Sequence, residues 1–221
     1  MDRCHRGGRT VSEFDPTATP APDDIVNRGV RLGTVASVIS GFYAAAPTLG
    51  MLDNIFNPDL LAVWPLRDEV SQEGVALLLS GHDHQGPLRS EWLNLYGYQP
   101  SVLPTESARG NSSAAAANAA LYQRDQFSAP QVADAPADHI GPELAYAGHV
   151  ATSIAMQYRA GVDVSAEAKG LLTFVREHVG PLGNVVVAQT KENAETLTYQ
   201  AIALLTQGYL AELESFAEYN G

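Results

Sequence analysis

Apolar residues recur along most of the chain at intervals of three and four, the period of a helix that buries one face. Val26, Val30, Val35, Val38, Ile39 and Phe42 predict a helix that starts at Asp23 or Asp24, either of which can cap it, and stops at Pro47. Between residues 49 and 65 the apolar positions are broken at Asn57-Pro58, which predicts two short helices meeting there. The pattern resumes over 67–80. After a turn at 81–87, Leu88, Trp92, Leu95 and Tyr96 form one broad apolar face.

Gly97, Pro100, Pro104 and Gly110 mark a loop, and Ser112 or Ser113 can cap an alanine-rich helix that runs to Tyr122. Residues 134–137 form a linker. A long helix over 138–158 follows, stopping near Gly161, and another covers 165–179. Gly180-Pro181-Leu182-Gly183 predicts a break. Val185-Val186-Val187 favours strand by propensity, but no other segment alternates with a period of two, so buried helix is the reading. A last helix covers 192–216. The sum is an all-α globule of eight or nine helices in one domain over 23–221, preceded by a Gly- and Pro-rich flexible tail over 1–22.

Composition agrees with a folded chain: 45% of the 221 residues are apolar and 17% charged. The net charge of -12 matters more. The first 31 residues are balanced, so the excess lies in the folded part, which repels phosphate backbones and anionic lipid and favours a basic peptide partner. With Cys4 alone, neither an intrachain disulfide nor a cysteine metal cluster can form. Neither a secretory leader nor an uninterrupted apolar span is read, so a cytoplasmic location is expected.

Candidate chemistry is sparse. His82 and His84 flank Asp83 in a turn and could supply two metal ligands, but a third is not identifiable, so no obligatory metal is expected. No nucleophile elbow, phosphate loop or dinucleotide fingerprint occurs, and an enzyme has no positive support. The run 137–144 is more informative. Asp138 can cap the long helix, Pro142 is tolerated in its first turn, and His139 and Glu143 project from one side. Ile140 and Leu144 would fill the adjoining buried stripe. A capped helix start with a surface pair and a two-residue binding rim both satisfy this spacing.

The Asp-His-Ile-x-x-Glu-Leu run of Asp138 to Leu144 resembles the signature of the TorD/DmsD/NarJ family, cytoplasmic chaperones of molybdenum-containing oxidoreductases. The aromatic helix ending at Tyr96 and Gly97, followed by Pro104-Thr105-Glu106-Ser107, is similar to a second family segment, and the likeness covers roughly residues 30–215. The resemblance implies a TorD-like helical chaperone, not an enzyme. It would bind the N-terminal segment of an apo catalytic subunit, often a twin-arginine signal peptide, and keep that subunit competent to receive molybdopterin guanine dinucleotide before export. The chaperone itself would hold no tight cofactor and would be a monomer, with a dimer as the alternative. By the same resemblance Asp138, His139, Glu143, Tyr96 and Glu106 would meet the partner, His139 and Glu143 as its polar rim, while Ile140, Leu144 and Trp92 support them. The competing functions are an accessory helical subunit of an oxidoreductase complex and a small metal-dependent hydrolase.

Overall fold

The computed structural model describes residues 22–220; of the tail expected over 1–22, residues 1–21 lie outside them and Pro22 begins the first helix. The helices are α1 (Pro22–Ala44), α2 (Leu49–Ile55), α3 (Pro58–Ala62), α4 (Glu69–Ser80) and α5 (Gln85–Tyr96), then α6 (Ala114–Arg124), α7 (Ile140–Arg159), α8 (Ser165–Phe174), α9 (Gly180–Asn193) and α10 (Leu197–Asn220). Single 3₁₀ turns occupy Ser107–Arg109 and Pro130–Val132. Because α8 and α9 are joined by a wide π turn over Val175–Val179, the described residues form nine continuous rods and no strand. This is a single all-α domain. No described helix is long and apolar enough to cross a membrane.

Three long helices build the core. α1 lies against α7 at very short range because glycine and alanine line the contact: a Cβ on Gly148 would fall 2.3 Å from Ala36 Cβ, and one on Gly33 would fall 2.0 Å from Thr152 Oγ1. Backbones that close exclude larger side chains, and the flanking Leu32, Val35, Ile39, Ile140, Leu144 and Ile154 supply the apolar burial instead. The buried stripe of α1 keeps Val35, Ile39 and Phe42 of the one expected, with Val38 packed against it, and adds Ile25 and Leu32. Ile25, Leu32, Val35, Ile39 and Phe42 face inward, while Val30 is 39% exposed. α10 crosses behind this pair, and two buried tyrosines tie it down: Tyr43 donates to Thr206 Oγ1 (3.0 Å) and Tyr209 donates to the Leu144 carbonyl (3.2 Å).

Several expected boundaries hold. Asn57 caps α3 by accepting from the amides of Asp59 and Leu60, with Pro58 first in the helix. Gly161, at a φ of 77°, follows α7 in the left-handed region that glycine tolerates. Val185, Val186 and Val187 are helical, with Val186 and Val187 buried.

Others differ: Asp23 and Asp24 fall inside α1, which begins at Pro22, instead of capping it, and Ser113 precedes α6 without a side-chain cap bond, its hydroxyl donating to Asn111. Two breaks also move. The break expected at Gly180-Pro181 does not occur. A proline interior to a helix removes one hydrogen bond and crowds the carbonyl four residues back, and widening the preceding turn relieves both. The Gly180 amide accordingly donates to the Val175 carbonyl, five residues back, and a Cβ on Gly180 would sit 2.4 Å from that oxygen. The chain breaks at 194–196 instead, inside the helix expected over 192–216. There Glu91 Oε1 accepts from the amides of Glu195 and Thr196, and Asp83 Oδ2 accepts from the Thr198 amide at 2.8 Å. Carboxylates from another part of the chain thus satisfy the free amides that begin α10.

Candidate functional site

The loop after α5 and the residues before α7 form a short antiparallel bridge between Thr105 and His139. The Ile140 amide donates to the Pro104 carbonyl at 2.8 Å, and the Glu106 amide donates to the Asp138 carbonyl at 3.0 Å. Asp138 does not cap α7. Its Oδ2 accepts from the Ser107 amide at 2.8 Å, fully buried, and so pins the loop to the helix start. The cap is His139, whose Nδ1 accepts from the Gly141 amide at 3.0 Å. That bond requires a neutral ring. Burial lowers the imidazole to about 4, against the opposing charge of Asp138.

The bridge delivers Glu106 to Glu143, one turn into α7. Asn118, from α6, donates to Glu106 Oε1 (3.3 Å) and to Glu143 Oε1 (3.0 Å), and Asn111 donates to Glu106 Oε2 at 2.8 Å. Glu143 is completely buried, and its carboxyl is pushed well above the ordinary range, first by burial and then by the hydrogen bond and charge of Glu106. It is therefore the protonated partner and donates to Glu106. Burial alone would raise Glu106 as well, but bonds from His178, Glu143 and Asn111 outweigh it and keep this carboxyl below its usual value. The pair carries one proton and one negative charge. His139 and Glu143 are consequently not an exposed rim: both lie inside the wall that the spacing alone had them decorate.

His178, from the π turn, closes the cluster from the outside. Its Nδ1 is 2.8 Å from Glu106 Oε1, and its side chain keeps 19% exposure. Beyond it opens a groove of about 690 Å³ between α6, α7 and α8. The groove floor is aromatic. Tyr146 and Phe174 meet edge to face at 4.9 Å, and Phe174 stacks on His178 at 5.2 Å. Arg124 and Asp125 at the groove edge pair with each other, while Glu167 adds a further negative charge.

The remaining expected site residues lie elsewhere. Tyr96 is buried against α9, its hydroxyl 2.7 Å from Thr190 Oγ1 and its ring against Tyr43 and Tyr199. Trp92 is half-buried against the core and donates to the Tyr43 carbonyl at 3.1 Å, a packing role as expected. Ile140 and Leu144 are fully buried beneath the cluster. His82 stacks on Phe56 and Asp83 is engaged with Thr198. No group of three metal-ligating side chains is assembled among the described residues.

Asn111, Asn118 and His178 were missed by sequence reasoning. Asn118 left a signal: it is the one polar residue within the alanine run 114–120, where asparagine weakens a helix unless its amide is used. His178 left none, because its partner is 72 residues away. No family model and no curated protein matches the chain.

Proposed function

We propose that this chain is a TorD-like, non-catalytic chaperone. It takes the N-terminal signal segment, of twin-arginine type, of an apo molybdenum oxidoreductase catalytic subunit, and it releases that subunit once molybdopterin guanine dinucleotide has been inserted. One observation carries the reading: the two segments on which the family resemblance rests, 104–107 and 138–144, are hydrogen-bonded to each other and form a single carboxyl, amide and imidazole cluster beside the aromatic groove.

The groove suits such a segment physically. An apolar helix or extended stretch lays its side chains on Tyr146 and Phe174, and its flanking arginines meet Glu167 and the negative field of a chain with a net charge of -12. Binding and shielding demand no bond chemistry from the chaperone. In this reading Asp138, His139 and Glu143 act from within the wall, by holding the groove's end in shape.

The test is co-expression of the tagged chain with precursors of molybdenum oxidoreductase catalytic subunits, each made full length and without its N-terminal segment. The proposal expects capture of at least one apo precursor, loss of capture on deletion of the segment, and release after cofactor loading. Failure to capture any precursor, capture indifferent to the segment, or persistence of the chain in the mature enzyme overturns it.

A further inference from the structure

An occupied carboxylate stands at the edge of the groove. Asp125 closes the C-terminus of α6, and its two oxygens accept from a single guanidinium: Arg124 Nε donates to Oδ1 at 2.6 Å and Arg124 Nη2 donates to Oδ2 at 2.7 Å. We propose that Asp125 is the specificity-determining seat for an arginine of the bound segment, and that Arg124 is a placeholder which the incoming guanidinium displaces. This deepens the reading of the groove as the seat of the client segment and rests on that reading for the owner of the arginine.

The seat is defined by what already fills it. Two N–H donors on two carboxylate oxygens is the arrangement in which a guanidinium is selected by shape as well as by charge, which a point-like ammonium cannot reproduce. Tyr146, on the groove floor, donates its hydroxyl to Oδ2 at 2.5 Å and so holds the carboxylate from that side. Three hydrogen bonds in all stay within the roughly four that a carboxylate accepts. The bonds from Arg124, and after them the one from Tyr146, keep the Asp125 carboxyl below its ordinary range, so it is ionised near neutrality. Tyr146 and Phe174 offer their rings in the same groove to the apolar body that carries the cation. His178, engaged with Glu106, is not part of the seat.

The present occupant is weakly held. The Arg124 side chain is 66% exposed against 27% for Asp125, and an ion pair that open to water is screened and contributes little. The placement of Asp125 also works against the helix, because a carboxylate at a C-terminus faces the negative end of the dipole, where Arg124 alone would be favourable. Consecutive residues do not face each other along a helix. These two meet because the chain leaves α6 here, with Gln126 in the left-handed region at a φ of 51°. A guanidinium carried by a segment that also covers Tyr146 and Phe174 adds apolar burial to the same two hydrogen bonds.

The probe is N-benzoyl-arginine amide, with the lysine analogue as an ammonium and the citrulline analogue as a neutral group of the same shape. Binding to the full chain is followed by NMR through the backbone amides of 124–127 and through the Arg124 Nε–H resonance, which a purely structural ion pair would leave unmoved. The arginine probe should bind at least about tenfold more tightly than either analogue, the effect of one charge-assisted hydrogen bond, and should shift the Arg124 Nε–H to the position of a free arginine. Asp125→Asn keeps an acceptor for Tyr146, so it should lose at least about tenfold in affinity with little change in melting temperature. Arg124→Gln vacates the seat and should tighten binding about two- to fivefold, the range a surface ion pair controls. Arg89→Gln removes the same charge from an exposed position on α5, which does not line the groove, and should stay within about twofold of wild type. Absence of saturable binding, equal binding of the three probes, or unchanged affinity in Asp125→Asn overturns the seat. An Arg124 Nε–H that stays in place at saturation, or Arg124→Gln binding no tighter than Arg89→Gln, overturns the placeholder. Since no precursor is used, a failure here leaves the capture result standing, and a failed capture leaves this result interpretable.

Discussion

Replacing Glu143 by Gln tests whether the cluster is built on a shared proton. In the folded chain neutral Glu143 donates to Glu106 and accepts from Asn118 at 3.0 Å. A glutamine amide reproduces both roles at nearly the same volume, so at acidic pH the variant should match wild type within about 1 kcal/mol. The difference lies in the pH dependence. The folded state holds the Glu143 proton more tightly than the unfolded chain, whose carboxyl has the ordinary value of 4.5. Its contribution is thus full below 4.5 and declines as pH rises toward the raised folded value. Within that window wild type should lose about 1.4 kcal/mol per pH unit relative to Glu143→Gln, because glutamine has no proton to lose on unfolding. Carboxylates away from position 143 cancel in the difference between the two proteins, and Glu106, its direct partner, keeps a donor in the glutamine amide. Urea unfolding at half-unit steps from pH 5 to pH 8, with equal m values, measures it directly. A difference that stays flat, or one that favours wild type as pH rises, would mean that Glu143 is ionised in the folded state and would refute the shared-proton cluster.

Gly148→Ala should destabilise by about 1–3 kcal/mol in chemical denaturation, because its Cβ would meet Ala36 at 2.3 Å, whereas Gly170→Ala, in α8 with nothing within 4 Å, should stabilise by about 0.5–1 kcal/mol; equal effects would defeat the close-approach account. His139→Ala should cost about 0.5–2 kcal/mol near pH 7 through loss of the α7 cap. That cost should shrink as pH falls from 6.5 toward about 4, the range in which the unfolded histidine is protonated and the folded one is not; thermal melts at pH 7 and pH 4.5 check the sign. Glu91→Leu leaves two amides at the start of α10 without their acceptor and should cost at least about 1.5–3 kcal/mol, with hydrogen exchange accelerated at Glu195 and Thr196 first; protection unchanged at those amides would refute the capping role.

Local physics made much of the fold legible. The 3.6-residue period and the proline and glycine stops act within a few residues, so helix content and most helix ends follow from the amino-acid order; Val185–Val187 favour strand locally and are helical in a chain that offers no strand to pair with them. Where a distant partner competes, the order of residues is silent. Asp138 has every local qualification for a helix cap, and it serves another purpose because the Ser107 amide, 31 residues away, needs an acceptor inside the protein. His139 and Glu143 read as a surface pair by spacing, yet α6 and the loop before it cover them, and burial then turns Glu143 into a neutral donor. The π turn, the early end of α9 and the meeting of His178 with Glu106 are likewise tertiary outcomes. Sequence by itself determined which segments are helical, because that choice is settled by neighbours along the chain. Which polar groups face one another, and in what protonation state, only the packed structure decided, because both depend on which surfaces are removed from water together.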